Sequence, residues 1–233
     1  MLWHKAIGAG GFGGNAPIEY VGSVSKTSDY VSGFDSSAEA LDVLSLASPG
    51  DLVVIGMTAT LGGTPFAEPW FWAGMDFTAI YDEMYDSDPS AYFGYRFVQS
   101  GDSNPYIDYP SIPDVRWNSL NVIASVFSGV SSFVASSRRG GSSSGVPNPR
   151  LLTANGDLWI ATAHTEDDGF IVDTPPTGYT LAAATDENGS GSYATMATAY
   201  KIETLSSDDP SAFSSSEGTL NDGWKSFLAA FSD

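Results

Sequence analysis

The 233-residue sequence has no cysteine. Disulfide cross-links and thiolate metal sites are therefore excluded. Positive charge is scarce: nine lysines and arginines stand against 28 aspartates and glutamates, a formal net charge of −19. A surface of that sign repels phosphate backbones and anionic lipid, so neither nucleic acid nor a membrane surface is an expected partner. The two histidines, His4 and His164, are too few for a multi-histidine metal centre within one chain. No apolar run approaches the roughly 20 residues of a membrane-spanning helix. The stretch from Met1 to Ile7 runs straight into glycines without the apolar core of a secretory signal, so export by a classical signal is not expected. Apolar residues nowhere keep a helical period over a dozen or so positions, which argues against long helices.

What is present suits many short strands. Apolar residues make up 42% of the chain, enough for a proper core, among abundant Gly, Ser, Thr and Ala. The predicted class is all-β: an antiparallel β-sandwich of jelly-roll type, residues 18–233, behind a Gly-rich N-terminal arm, residues 1–17. The arm carries Gly8, Gly10, Gly11, Gly13 and Gly14 and has little to bury, which makes Trp3, Ile7 and Phe12 its natural anchors on a partner. Strands are expected at Ile18 to Val24, Asp51 to Thr60, Phe77 to Met84, Ala91 to Gln99 and Ser119 to Val130. Four more are expected at Asp157 to Thr165, Tyr179 to Ala184, Ser192 to Thr204 and Trp224 to Phe231. Ser36 to Leu41 reads as a capped helical turn, or Asp42 to Leu46 as a strand. Ser131 to Pro149 reads as a Ser/Gly/Pro loop holding Arg138 and Arg139.

One signal recurs. Pro49-Gly50-Asp51-Leu52 opens an unbroken apolar run, and Asn155-Gly156-Asp157-Leu158 opens another. Both read as a tight turn feeding a core strand. Asp51 and Tyr95 are 44 positions apart, Asp157 and Tyr200 43. There Tyr95-Arg96-Phe97 matches Tyr200-Lys201-Ile202 in kind. Tyr95 and Phe127 are 32 apart, Tyr200 and Phe231 31, and Phe77-Thr78 matches Tyr179-Thr180. Two similar halves, about 50–130 and 156–232, are the expectation.

Gly50-Asp51-Leu52-Val53-Val54, Tyr95-Arg96 and Val126 to Val130 carry a resemblance, as do Gly156 to Ile160, Thr174 to Thr180, Ala199-Tyr200-Lys201 and the strand from Trp224 to Phe231. Together they resemble a recurrent, lectin-like β-sandwich of tailed-bacteriophage virion proteins, of the tail or fibre type or the head-decoration type. The resemblance runs from about Ile18 to Asp233 and brings no catalytic residues with it. It implies a structural particle component located in the virion, with other virion proteins as partners. The arm would then be the attachment segment, and homo-oligomers are expected.

The chemistry-bearing residues are weighed against that background. Gly8-Ala9-Gly10-Gly11-Phe12-Gly13 matches a dinucleotide-binding fingerprint, but Gly14-Asn15-Ala16-Pro17 and a strand-like segment follow where a helix is required, so a docking arm is the better reading. The carboxylates Asp82-Glu83, Asp86 with Asp88, Glu166-Asp167-Asp168, Asp186-Glu187 and Asp208-Asp209 fall at expected turns and read as solvated loop tips. They follow no EF-hand spacing and offer no favoured pair for glycoside hydrolysis. His164 has no G-x-S-x-G serine to activate and reads as a strand-end residue. Phe66, Trp70, Phe71 and Trp72, with Tyr81, Tyr85 and Tyr106, are candidate glycan-stacking or interface aromatics, with core or interface packing preferred. Arg138-Arg139 is the one strong basic spot, a solvated loop or a contact to an acidic neighbouring subunit. No catalytic residue, metal or cofactor is expected. The alternative to a structural particle protein is an adhesion module that recognises a host surface glycan.

Overall fold

The computed structural model describes residues 16–28, 40–61, 71–83, 89–108, 117–141, 145–166, 171–186, 194–216 and 223–233. Within them lie twelve strands: β1 (Glu19–Ser28), β2 (Leu52–Leu61), β3 (Phe71–Ala73), β4 (Thr78–Glu83), β5 (Ser90–Phe97), β6 (Tyr106–Asp108), β7 (Trp117–Ser128), β8 (Ser132–Gly141), β9 (Leu152–Glu166), β10 (Thr180–Asp186), β11 (Ala194–Asp208) and β12 (Trp224–Ser232). The architecture is all-β, with two antiparallel five-stranded sheets packed face to face and a small β3–β6 ribbon.

The first sheet runs β1-β7-β2-β5-β4 and the second β8-β12-β9-β11-β10. With the ribbon set aside, each sheet takes one contiguous half of the chain in the order first, fifth, second, fourth, third. Strands therefore do not alternate between the sheets, and the strand order adds nothing specific to a jelly roll.

Register agrees as closely as order. Leu52 lies opposite Phe97 and Phe127, and Leu158 lies opposite Ile202 and Phe231. Tyr95 faces Val54 and Thr78, and Tyr200 faces Ile160 and Thr180. The bulges of the edge strands coincide too. Val21 is the extra residue of β1 against β7, and Val134 that of β8 against β12. Ile80 bulges in β4, and Ala182 in β10. Each of these bulges lies on a strand at the margin of its sheet, where the added twist discourages edge-to-edge pairing.

The two inner faces share one core containing Leu52, Val54, Phe127, Leu158, Ile160 and Phe231. Its aromatic contacts repeat about a pseudo-twofold relation. Tyr20 stacks on Tyr200 at 4.7 Å, and the equivalent Phe133 stacks on Tyr95 at 5.2 Å. Phe127 meets Tyr200 edge-on at 5.5 Å, and Phe231 meets Tyr95 edge-on at 5.7 Å.

The outer faces are covered differently. The first sheet presents Val53, Ile55, Met57, Val122 and Val126 to Leu41, Val43, Met75 and Phe77. The second presents small residues, Ala161, Ala163, Ala197, Ala199 and Ala230, and fills the space with Trp159, Trp224, Phe213 and Tyr179. The covering segments of the second sheet are tied by a Thr174–Ser214 bridge and by Phe213 N–H donating to Pro147 O at 2.8 Å.

Three expectations need correction. Residues 132–141 form strand β8 rather than loop, because β12 supplies the pairing that their Ser, Arg and Gly content does not advertise. Asn155-Gly156 is not a turn: β9 continues through it, with register shifts against β11 on both sides of Gly156 and with Gly156 lying against Ala230 and Phe231. Residues Val43–Ser45 form a 3-10 turn instead of a strand; residues 36–39 of the alternative helical turn lie outside the described residues.

Candidate binding surface

The interior between the sheets changes character along its length. The aromatic end gives way to Thr58 and Asn121 on the first sheet and to Thr162, His164, Thr198 and Lys225 on the second, all buried. These residues face inward because they alternate in step with the core positions of the same strands. Asn121 Nδ2 donates to Ala194 O at 2.7 Å, crossing from one sheet to the other. His164 Nε2 lies 3.0 Å from Thr162 Oγ1, and its ring meets Phe227 edge-on at 5.1 Å. Burial pushes the imidazole down to about 3, helped by the Lys225 ammonium and opposed by the Met57 backbone. His164 is thus a neutral, fully enclosed residue whose Nε2 is engaged by the Thr162 hydroxyl.

At the opposite end, each half closes on an ion pair from its matched basic residue. Arg96 Nη2 lies 3.0 Å from Asp102, and Lys201 Nζ lies 2.8 Å from Asp208. Arg96 holds the Asp102 carboxyl below its usual range, with Gln99 N–H donating to the same group. Tyr179 donates to Asp208, and Lys201 lies over the Tyr179 ring at 4.9 Å. Burial first, and then the Asp208 bond and charge, push the Tyr179 phenol well up. These side chains are engaged with one another.

An open hollow of about 240 Å³ lies beside this end, lined by Ile18, Asp157, Ile202, Glu203, Thr204 and Asp233. Asp157 accepts from Thr204 Oγ1 at 2.6 Å, and Ile202 is 43% exposed. The lining comes from four separate places in the chain, so no local motif announced it.

The residues singled out in the sequence scatter. Trp3, Ile7, Gly8, Gly10, Gly11 and Phe12 of the arm lie outside the described residues, as do Phe66, Trp70, Tyr85, Asp86 and Asp88. Phe71 and Trp72 form part of β3; Trp72 is half-buried and meets Phe77 edge-on at 5.5 Å. Tyr81 stacks on Phe227 at 4.9 Å inside the sandwich, and Arg138 lies over the Tyr81 ring at 5.6 Å. Among the described residues, no three His, Asp or Glu side chains are grouped as a metal ion would require. Comparison with family models, with curated proteins and with solved structures finds no match to this chain.

Proposed function

We propose that the chain is a structural component of a tailed-phage particle, held by its N-terminal segment and presenting the sandwich outward, on the tail or fibre or as a head decoration. The observation that supports this is where the phage-like motifs lie. Leu52 and Leu158, Tyr95 and Tyr200, and Phe127 and Phe231 occupy matched register positions that build the two sheets. The motif residues thus serve the scaffold, which leaves contacts with other virion proteins to the arm and the loops. The scaffold meets the arm at a defined place: a Cβ on Gly129, between the two halves, would come within 2.6 Å of both the Ala16 and Pro17 carbonyl oxygens.

Co-purification tests the reading. Particles assembled from a genome carrying this gene should retain the protein at a fixed copy number through a density gradient. A variant lacking Met1 to Asn15 should keep its β-sheet circular dichroism but leave the particle fraction. Particles without the full-length protein overturn the structural role. An incorporated truncation overturns the role of the arm.

A further inference from the structure

The margin of the second sheet at β8 combines two features that the rest of the described surface does not. First, three of the five exposed large apolar residues lie there: Val134 at the β8 bulge, and Val146 and Leu151 in and just after the segment 145–150 that leads into β9. That segment lies against β8, since Ser137 Oγ donates to Arg150 O at 2.7 Å and Gly145 approaches Trp224, the register partner of Gly141. Second, Arg139 and Arg150 are exposed there, on a chain of net charge −19. Arg96 and Lys201 are spent on internal ion pairs and Lys225 is buried. Arg138 lies over Tyr81 and has no part in the patch.

We propose that this β8 margin is an interface for a second copy of the chain, which docks through its acidic hollow. Arg139 and Arg150 would face Asp157, Glu203 and Asp233 of the second copy, and Leu151 and Val134 would cover its exposed Ile202. The fit is one of sign and kind: cations with apolar neighbours on one side, carboxylates with an apolar neighbour on the other. The two surfaces differ, so the contact is heterologous. Repetition closes a ring or extends a fibre instead of forming a twofold dimer. The inference stands apart from the virion reading, because self-association is measured on the isolated protein.

Sedimentation velocity of the full chain is the test, from about 0.05 M to about 0.5 M salt, a range over which surface charges become screened. Concentration-dependent assembly that weakens with salt is expected. Arg139→Glu with Arg150→Glu should raise the Kd at least tenfold, while circular dichroism and melting stay unchanged, since both side chains are exposed. Leu151→Asp tests the apolar part separately and should also weaken assembly. Glu203→Arg mixed with the double arginine variant should restore a heteromeric contact. A wild-type chain that stays monomeric throughout, or a double arginine variant that assembles like wild type, overturns the proposal. Assembly lost in the arginine variant but not regained with Glu203→Arg overturns the assignment of the hollow.

Discussion

The two sheets follow one plan in strand order, in core register and in the bulges of their edge strands, yet they complete their cores by different means. On the outer face of the first sheet the strands are bulky and the covering residues moderate: Val53, Ile55 and Met57 meet Val43 and Met75. On the second the strands alternate alanine with tryptophan, Ala161, Ala163 and Ala197 beside Trp159 of β9 and Trp224 of β12, and the covering segments add Phe213 and Tyr179. Interiors must reach similar density either way, so volume removed from a strand has to return from elsewhere. The aromatic end of the shared inner face shows no such trade. There each half packs against the other, and Phe127 and Phe231 keep the same ring contacts on both sides of the pseudo-twofold.

The most damaging way to break the comparison is at that shared face. Phe127→Ala and Phe231→Ala should each destabilise the protein by about 3–5 kcal/mol, the range for emptying a buried aromatic site. Because their surroundings correspond, the two losses should agree to within about 1 kcal/mol in denaturant unfolding. A large inequality would show that the matched register conceals unequal packing.

Much of this was legible in the sequence, and the reasons differ by segment. β2 is buried on both faces, so Leu52 to Ala59 reads as an unbroken apolar run. The matched spacings of Tyr95 with Tyr200 and Phe127 with Phe231 were visible because these bulky residues face the shared core. β8 was hidden because Ser136, Ser137, Arg138 and Arg139 lie on an edge strand where polar residues cost little. The hollow was hidden because Ile18, Asp157, Glu203 and Asp233 are distant in sequence and only the fold joins them.

A second comparison sets His164 against Thr58, which occupy equivalent inward positions on β9 and β2. His164 is held to about 3 in the folded state against an ordinary value of 6.5. Between these values the unfolded chain binds the extra proton, so stability rises with pH across the window. The contribution is complete above about pH 6.5 and is lost as pH falls toward 3, at up to about 1.4 kcal/mol per pH unit. Most carboxylates titrate lower, so the slope from about pH 6.5 to 5 reports chiefly on this imidazole. His164→Thr installs the first sheet's residue and should flatten that slope in urea titrations. An unchanged slope would assign the dependence to another group.

The smallest effects come from the two glycines of the repeated Gly-Asp-Leu signal, which answer different demands. Gly50 has φ +99° with nothing within 4 Å of an added Cβ, and its N–H donates to Val98 O in the turn that launches β2. Gly156 is in mid-strand, where an added Cβ would come within 3.0 Å of Ala230 Cβ and 3.3 Å of Phe231 O. At Gly50 the constraint is therefore conformation, and at Gly156 it is space. Gly50→Ala should cost about 1–2 kcal/mol through the left-handed backbone, and Gly50→Asn should recover part of it. Gly156→Ala should cost about 1 kcal/mol, and Gly156→Asn should be worse because the added volume meets the same neighbours. The measurement is the order of the four melting temperatures. If asparagine were the better substitute at both positions, the two signals would be doing the same work, and the second half would share the turn chemistry of the first after all.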